Sequence, residues 1–337
     1  PPQSASGNIA HPRTRRNVQP SRKSMRIQPS PRRLRGSLPT ALFLAAAAAL
    51  AGCTITFPGP GQTIPSTDPA VVRMQAITPP ADAPLSTAAI AAIVAAPDRS
   101  AADRDNDARR HPADTLAFIG VHPGWNALDV STGGGYTTEL LARAIGSAGT
   151  VYAQSQPRDP NQARPAAPEG GAAPAAAAAS APARRPTAEV LAGREKSMQA
   201  AGVFFAPIVY VGQRFDEPVP ASRADGGLNL VTLMFNYHDF GYLDVDRAKM
   251  NRAIFKSLKH GGLYVIADHA GRPGTGISEA GTLHRVEESF VKAEVEAAGF
   301  KLAASGDFLR NPADPRDQNA PPAGQAKDEF VLKFVKP

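Results

Sequence analysis

The chain has 337 residues, 42% of them hydrophobic, with a formal net charge of +7, which is room for one or two domains. The basic excess is confined to residues 1–52, which hold nine Arg or Lys and no Asp or Glu; the remainder carries 28 basic and 30 acidic residues, a net of −2. Outside that leader there is no charge signature for a nucleic-acid partner, and Cys53, the only cysteine, excludes an internal disulfide and a cysteine-based zinc site.

The leader has the design of a secretory signal. Arg26, Arg32, Arg33 and Arg35 form a basic region, followed by 13 largely apolar residues from Leu38 to Leu50. That run is shorter than the roughly 20 residues a membrane-spanning helix needs and suits a cleaved signal. It ends in Leu50-Ala51-Gly52-Cys53, which resembles the lipobox of bacterial lipoproteins. The resemblance implies lipidation of Cys53 and a domain held on the periplasmic side of the cell envelope, or in the cytoplasm if the signal is not used; an ordinary signal length over 25–52 places the start at Met25. Residues 53–84, rich in Pro, Thr, Gly and Ser, read as a flexible tether.

The folded part is expected over 85–337. Arg99, Asp103, Asp107 and Arg110 are spaced to share one solvated helix face and pair. A strand is predicted over about 126–130, and its helix carries Leu140, Leu141, Ala144 and Ile145 on one face. A second strand covers Gly149 to Ala153. Residues 155–186 interrupt the pattern: 19 of these 32 are Ala or Pro, too little apolar surface to order the segment. The alternation resumes with a helix at about 187–201, strands at 207–211 and 228–235, and a helix capped by Asp244 and stopped by Gly261-Gly262. A strand follows at 263–267, then a helix over about 282–298 with Leu283, Val286 and Phe290 inward. Strands opening at Phe300 and running over 330–335 close the chain.

At the end of the first strand stands Asp129-x-Ser131-x-Gly133-Gly134-Gly135, an acidic residue followed by a glycine turn and a helix start. Glycines there let a ligand approach the backbone closely. A dinucleotide turn would read G-x-G-x-x-G, whereas these glycines are consecutive and follow a strand-end aspartate. Five strand–helix units, a strand, a loop and a last strand, headed by this turn, resemble the class I S-adenosylmethionine-dependent methyltransferases. More narrowly, the chain resembles a group of bacterial predicted methyltransferases. The resemblance implies an α/β fold: a Rossmann-like, seven-stranded, mostly parallel sheet with an antiparallel last strand inserted between the fifth and sixth, and helices on both faces. It also implies S-adenosylmethionine as cofactor, near Asp129, Ser131, Gly133, Gly134, Gly135 and Asn236. Gln154 stands where the family places a ribose-binding acid, and Ser131 stands in place of the first glycine.

The fourth strand leads into Asn236-Tyr237-His238-Asp239, which by the same resemblance lines the gap between methyl group and acceptor. His238 is the candidate base, with Asp239 beside it; a histidine that only satisfies the loop backbone is the competing reading. The fifth strand ends in Asp268-His269, and His284 follows. These groups face one crevice, as a divalent-metal set or as ordinary His–carboxylate pairs, and no metal is assigned. Tyr136, Phe235, Tyr237, Phe240 and Tyr242 suit either an apolar acceptor pocket or core packing. Two functions follow: methyl transfer to a small-molecule acceptor by a membrane-tethered domain, or a non-catalytic envelope lipoprotein that uses the fold for binding or assembly.

Overall fold

The structure, a computed structural model, describes residues 83–157, 185–319 and 325–337. The leader, Cys53, the tether up to residue 82 and residues 158–184 of the Ala/Pro insertion lie outside the described residues. Three helices precede the sheet: α1 (Thr87–Val94), α2 (Ala101–Arg110) and α3 (Pro112–Ile119). Ser86 and Ser100 cap the first two through their hydroxyls, leaving Arg99 just outside α2. The four spaced charges therefore do not share one helix. Nor do they form a solvated face: Arg99 and Asp103 are buried.

Seven strands follow: β1 (Asn126–Val130), β2 (Thr150–Gln154), β3 (Ile208–Val211), β4 (Leu228–Met234), β5 (Leu258–His269), β6 (Lys301–Gly306) and β7 (Glu329–Val335). They form one sheet in the order β3-β2-β1-β4-β5-β7-β6. The first five are parallel, and β7 runs antiparallel between β5 and β6, as the resemblance implies. The helices α4 (Tyr136–Ile145), α5 (Thr187–Ala200), α6 (Asp239–Tyr242), α7 (Arg247–Ser257), α8 (Ala280–Leu283) and α9 (Glu288–Ala297) complete the chain.

The inner strands are apolar on both faces because both are covered. One core packs Leu128, Val231 and Ile266 with Met250 and Ile254 of α7 and Val291 and Val295 of α9. The opposite core packs Ala127, Val151 and Leu230 with Ile119, Leu141, Ile145 and Met198. Each large apolar side chain so enclosed stabilises the fold by about 1.5–3 kcal/mol. The connection leaves β3 and returns to the far side of β1, so β1 and β4 are neighbours whose crossovers lie on opposite faces. A crevice opens at the carboxyl ends of such a pair.

Three expectations are corrected. β5 starts at Leu258, before the glycines, because Leu258 pairs with Leu228 and the 261–262 backbone bonds to Lys336. The cap of α7 is Asp246, which accepts from the Lys249 amide; Asp244 sits in left-handed backbone instead. The helix expected over 282–298 is split, because Val286 bridges Ala270 beside the sheet and Arg285 is fully buried. The Arg285 guanidinium bonds to Ala270 O, Gln318 O and Asp314, which fixes the chain between α8 and α9. Among the described residues, no helix is long and apolar enough to cross a membrane.

Candidate functional site

The turn after β1 is built on side chains that face inward. Register sets Asp129 beside Thr232 of β4, and Asp129 accepts from Thr232 Oγ1 at 2.8 Å and Thr138 Oγ1 at 2.6 Å. Its carboxyl is 2% exposed, and burial pushes its pKa up. Gln154, fully buried at the end of β2, accepts from the Ser131 amide at 3.0 Å and donates to Gln213 O at 2.7 Å. Its carbonyl also accepts from the Thr132 amide. Asp129 and Gln154 thus hold the turn from below.

Helix α5 holds it from the side. Arg194 Nε donates to Gly134 O at 2.7 Å, while its terminal nitrogens bond to Asp103 and Glu139. Gly135 has φ +78°, and an added Cβ would lie 2.8 Å from Leu191 Cδ2; only glycine allows that approach. Gly133 and Gly134 are exposed, and nothing lies within 4 Å of a Cβ added at Gly134. The outer backbone of these two residues is the face the turn leaves open. Beside it, the Arg110 guanidinium lies over the rings of Tyr136 (5.1 Å) and Phe235 (4.7 Å). The cavity between them is about 20 Å³, room for about one water.

The ends of β4 and β5 gather the other predicted residues. Asp268, fully buried, accepts from the His238 amide at 2.7 Å and lies 2.6 Å from His238 Nδ1. His238 Nε2 is 3.1 Å from Asp239 Oδ1, and His284 Nδ1 is 3.6 Å from the same oxygen. Asp239 is oriented further by Asn236 Nδ2 (2.8 Å) and Tyr242 OH (2.9 Å). The antiparallel register of β5 and β7 pairs His269 with Glu329. His269 Nδ1 comes within 2.8 Å of Glu329 Oε1, without the alignment of a hydrogen bond. Arg109 also reaches Glu329. Ser131, Phe235 and His284, at the rim, all have left-handed backbone. For non-glycine residues this costs roughly 1–3 kcal/mol each and concentrates at functional sites.

Charge separates these groups. Burial opposes protonation of His238, but the two carboxylates outweigh it and push its pKa up to about 10; at neutral pH it is a cation that donates on both sides. Burial works against ionisation of Asp239 and Asp268, and His238 overcomes it and holds both low. His269 is pushed well down by burial and is neutral. Burial raises Glu329 to about 7 and lowers Lys327 to about 8. Glu329 and Lys327 are thus brought nearest to neutrality, whereas the two carboxylates hold His238 protonated.

His238, Asp239, Asp268, His269 and His284, all predicted to face one crevice, lie together at one rim. Asn236 joins them as a donor to Asp239. Glu329 carries no motif in the sequence; its one signal is an acidic residue opening a last strand that is apolar apart from Lys333. Of the five aromatics, Tyr237 and Phe240 are core residues, Tyr136 and Phe235 lie under Arg110, and Tyr242 is exposed.

The sequence matches no protein-family model and no curated protein. Among solved structures, the chain is similar to a SAM-dependent methyltransferase from Aquifex aeolicus, with 13% identity, TM-score 0.44 and coverage of 75% of this chain and 100% of that one. It is also similar to an S-adenosylmethionine-dependent methyltransferase from Clostridium acetobutylicum, with 11% identity, TM-score 0.36 and coverage of 68% and 98%. A third likeness is to an arsenic(III) S-adenosylmethionine methyltransferase from Chlamydomonas reinhardtii, with 16% identity, TM-score 0.40 and coverage of 64% of each chain. At these scores and identities the likenesses carry no weight for function. What the strand order and register establish is a Rossmann-like α/β fold with its open turn and its histidine–carboxylate rim on either side of one crevice.

Proposed function

We propose that the domain transfers a methyl group from S-adenosylmethionine to a small-molecule acceptor. One observation carries this reading: the switch point between β1 and β4 sets an open glycine turn beside a rim of titratable groups. The cofactor, when bound, supplies an electrophilic methyl on a sulfonium centre. The turn fits such a ligand through the bare backbone of Gly133 and Gly134. Asp129 and Gln154 act one layer below as positioning residues, because their polar atoms already serve Thr138, Thr232, Ser131 and Gln213.

Methyl transfer depends chiefly on alignment of donor and acceptor. The cationic His238, fixed by Asp268, and Asp239, fixed by Asn236 and Tyr242, provide rigid polar contacts for an acceptor. Glu329, with a pKa of about 7, takes the proton an oxygen or nitrogen acceptor releases. Calorimetric titration of the full chain with S-adenosylmethionine and S-adenosylhomocysteine tests the reading. Binding near one per chain is expected; no heat at millimolar ligand would sink it. The inward-facing Asp129 and Gln154 favour a second reading, a non-catalytic envelope module, and that null result would leave it standing.

The leader supports a further part of the proposal: Cys53 is lipidated and tethers the domain to the bacterial envelope. Incorporation of radiolabelled palmitate in cells, lost in Cys53→Ser, is the expected result; equal labelling of both proteins would remove the tether.

A further inference from the structure

We propose that His238, Asp239 and His284 form a binding site for one divalent transition-metal ion. The inference goes beyond methyl transfer and stands whether or not the glycine turn holds a cofactor.

The first argument is distance. One donor atom from each residue lies within 4.8 Å of the others. Asp239 Oδ1 is 3.1 Å from His238 Nε2 and 3.6 Å from His284 Nδ1. Metal–ligand bonds of about 2.0–2.2 Å require neighbouring ligand atoms about 3.0–3.5 Å apart. The two separations are close to that spacing, so an ion fits with small rotations of the partly exposed His284 and Asp239 side chains.

The second argument is the surrounding shell. A metal-bound histidine characteristically gives its other ring nitrogen to a carboxylate or carbonyl, which fixes the ring and the tautomer. Asp268 does this for His238: Oδ1 takes Nδ1 at 2.6 Å and Oδ2 takes the His238 amide at 2.7 Å. That clamp aims Nε2 at Asp239; a bound ion takes the place of the Nε2 proton that Asp239 accepts in its absence, so binding releases that proton. Asp239 in turn is held through Oδ2 by Asn236 and through Oδ1 by Tyr242. The ligands are thus oriented by groups from the ends of both β4 and β5.

The third argument is donor chemistry and access. Two imidazoles and one carboxylate suit Zn²⁺, Fe²⁺ or Co²⁺; Mg²⁺ and Ca²⁺ prefer all-oxygen sets. The His284 and Asp239 side chains are 25% and 21% exposed while His238 is 4% exposed. The site is therefore anchored on its inner side and open on its outer side, as sites with three protein ligands and a free position are.

The test uses the full-length, tag-free chain after chelator treatment, titrated with Zn²⁺, Co²⁺ and Mg²⁺ by calorimetry, with Co²⁺ binding also followed by visible absorption. One Zn²⁺ or Co²⁺ per chain is expected, with no Mg²⁺ heat. His284→Ala and Asp239→Asn, both at partly exposed positions, should retain the circular dichroism of the parent and lose the site. Asp268→Asn should weaken Zn²⁺ binding about 10–100-fold. The proposal is overturned if Zn²⁺ gives no stoichiometric heat, or if affinity and Co²⁺ spectrum are unchanged in both His284→Ala and Asp239→Asn. Either result would leave a purely hydrogen-bonded cluster. Because the titrations contain no S-adenosylmethionine, failure here is distinct from failure of the cofactor titration.

Discussion

The two sides of the crevice use polar side chains in opposite ways. At the end of β1, Asp129 and Gln154 are enclosed and fully bonded to hydroxyls and backbone of the turn, and what faces outward is bare glycine backbone. At the ends of β4 and β5 the side chains themselves converge on a partly exposed point, His238 backed by Asp268 and Asp239 by Asn236 and Tyr242. The first side is a scaffold that presents main chain; the second presents side-chain chemistry. A strand-end carboxylate is therefore not evidence of a ligand by itself: Asp129 and Asp239 both follow or end strands, and what separates them is exposure, since Asp129 is enclosed whereas the Asp239 side chain is 21% exposed at the rim.

Stability measurements can break this contrast. Asp129→Ala should show the largest effect, because it leaves the Thr138 and Thr232 hydroxyls facing a buried gap; a loss of about 2–4 kcal/mol in urea unfolding is expected. Asp239→Asn, on the open side, keeps a carbonyl acceptor but loses the charge facing His238, so it should cost less than Asp129→Ala, about 1–2 kcal/mol. Equal losses would abolish the distinction. Within the turn, Gly135→Ala meets Leu191 and needs left-handed backbone, for an expected loss of about 1–3 kcal/mol. Gly134→Ala enters open space and should cost no more than about 0.5 kcal/mol.

Gln154→Glu sharpens the comparison further. If the position contacts a ribose, the acid should tighten S-adenosylmethionine binding in calorimetry. If it supports the turn, the substitution sets a carboxylate against Gln213 O and lowers stability by about 1–2 kcal/mol without tighter binding, which is the expected outcome. A last test concerns pH. Glu329 is raised from 4.5 to about 7 by burial. Between those values the folded state holds a proton the unfolded state has released, so stability declines as pH rises from 4.5 through 7. Arg109, Arg110, Lys327 and Asp268 act on this group, and His269 packs against it. Glu329→Gln should flatten that part of the urea-midpoint profile; an unchanged slope would remove Glu329 as a group titrating near neutrality.

Much of the fold is legible along the chain because it is local. The strand–helix units at β1, β2, β4 and β5 follow from apolar runs and helical spacing, and Leu140, Leu141, Ala144 and Ile145 are all buried as their spacing predicts; the fifth expected unit has no α-helix, because β3 reaches β4 through the 3-10 turn Ala221–Arg223. The misreadings fall where a long-range contact overrides a local signal. Gly261-Gly262 looks like a helix stop, yet pairing with β4 and with Lys336 continues the strand through it. Arg285 looks like a surface helix residue, yet Asp314 and two carbonyls, 15 to 33 residues away in sequence, draw it inside.

The sequence alone determined the kind of crevice: an acidic strand end, a glycine turn, and histidines and carboxylates at later strand ends. It did so because strand alternation and turn chemistry are properties of adjacent residues. Tertiary structure alone decided what each group is free to do. Register placed Thr232 against Asp129 and Glu329 against His269. Packing placed Asp268 behind His238 and His284 in front of it. Bond availability and pKa depend on neighbours far apart in the chain and on how much water remains around them, so only the folded arrangement could set them.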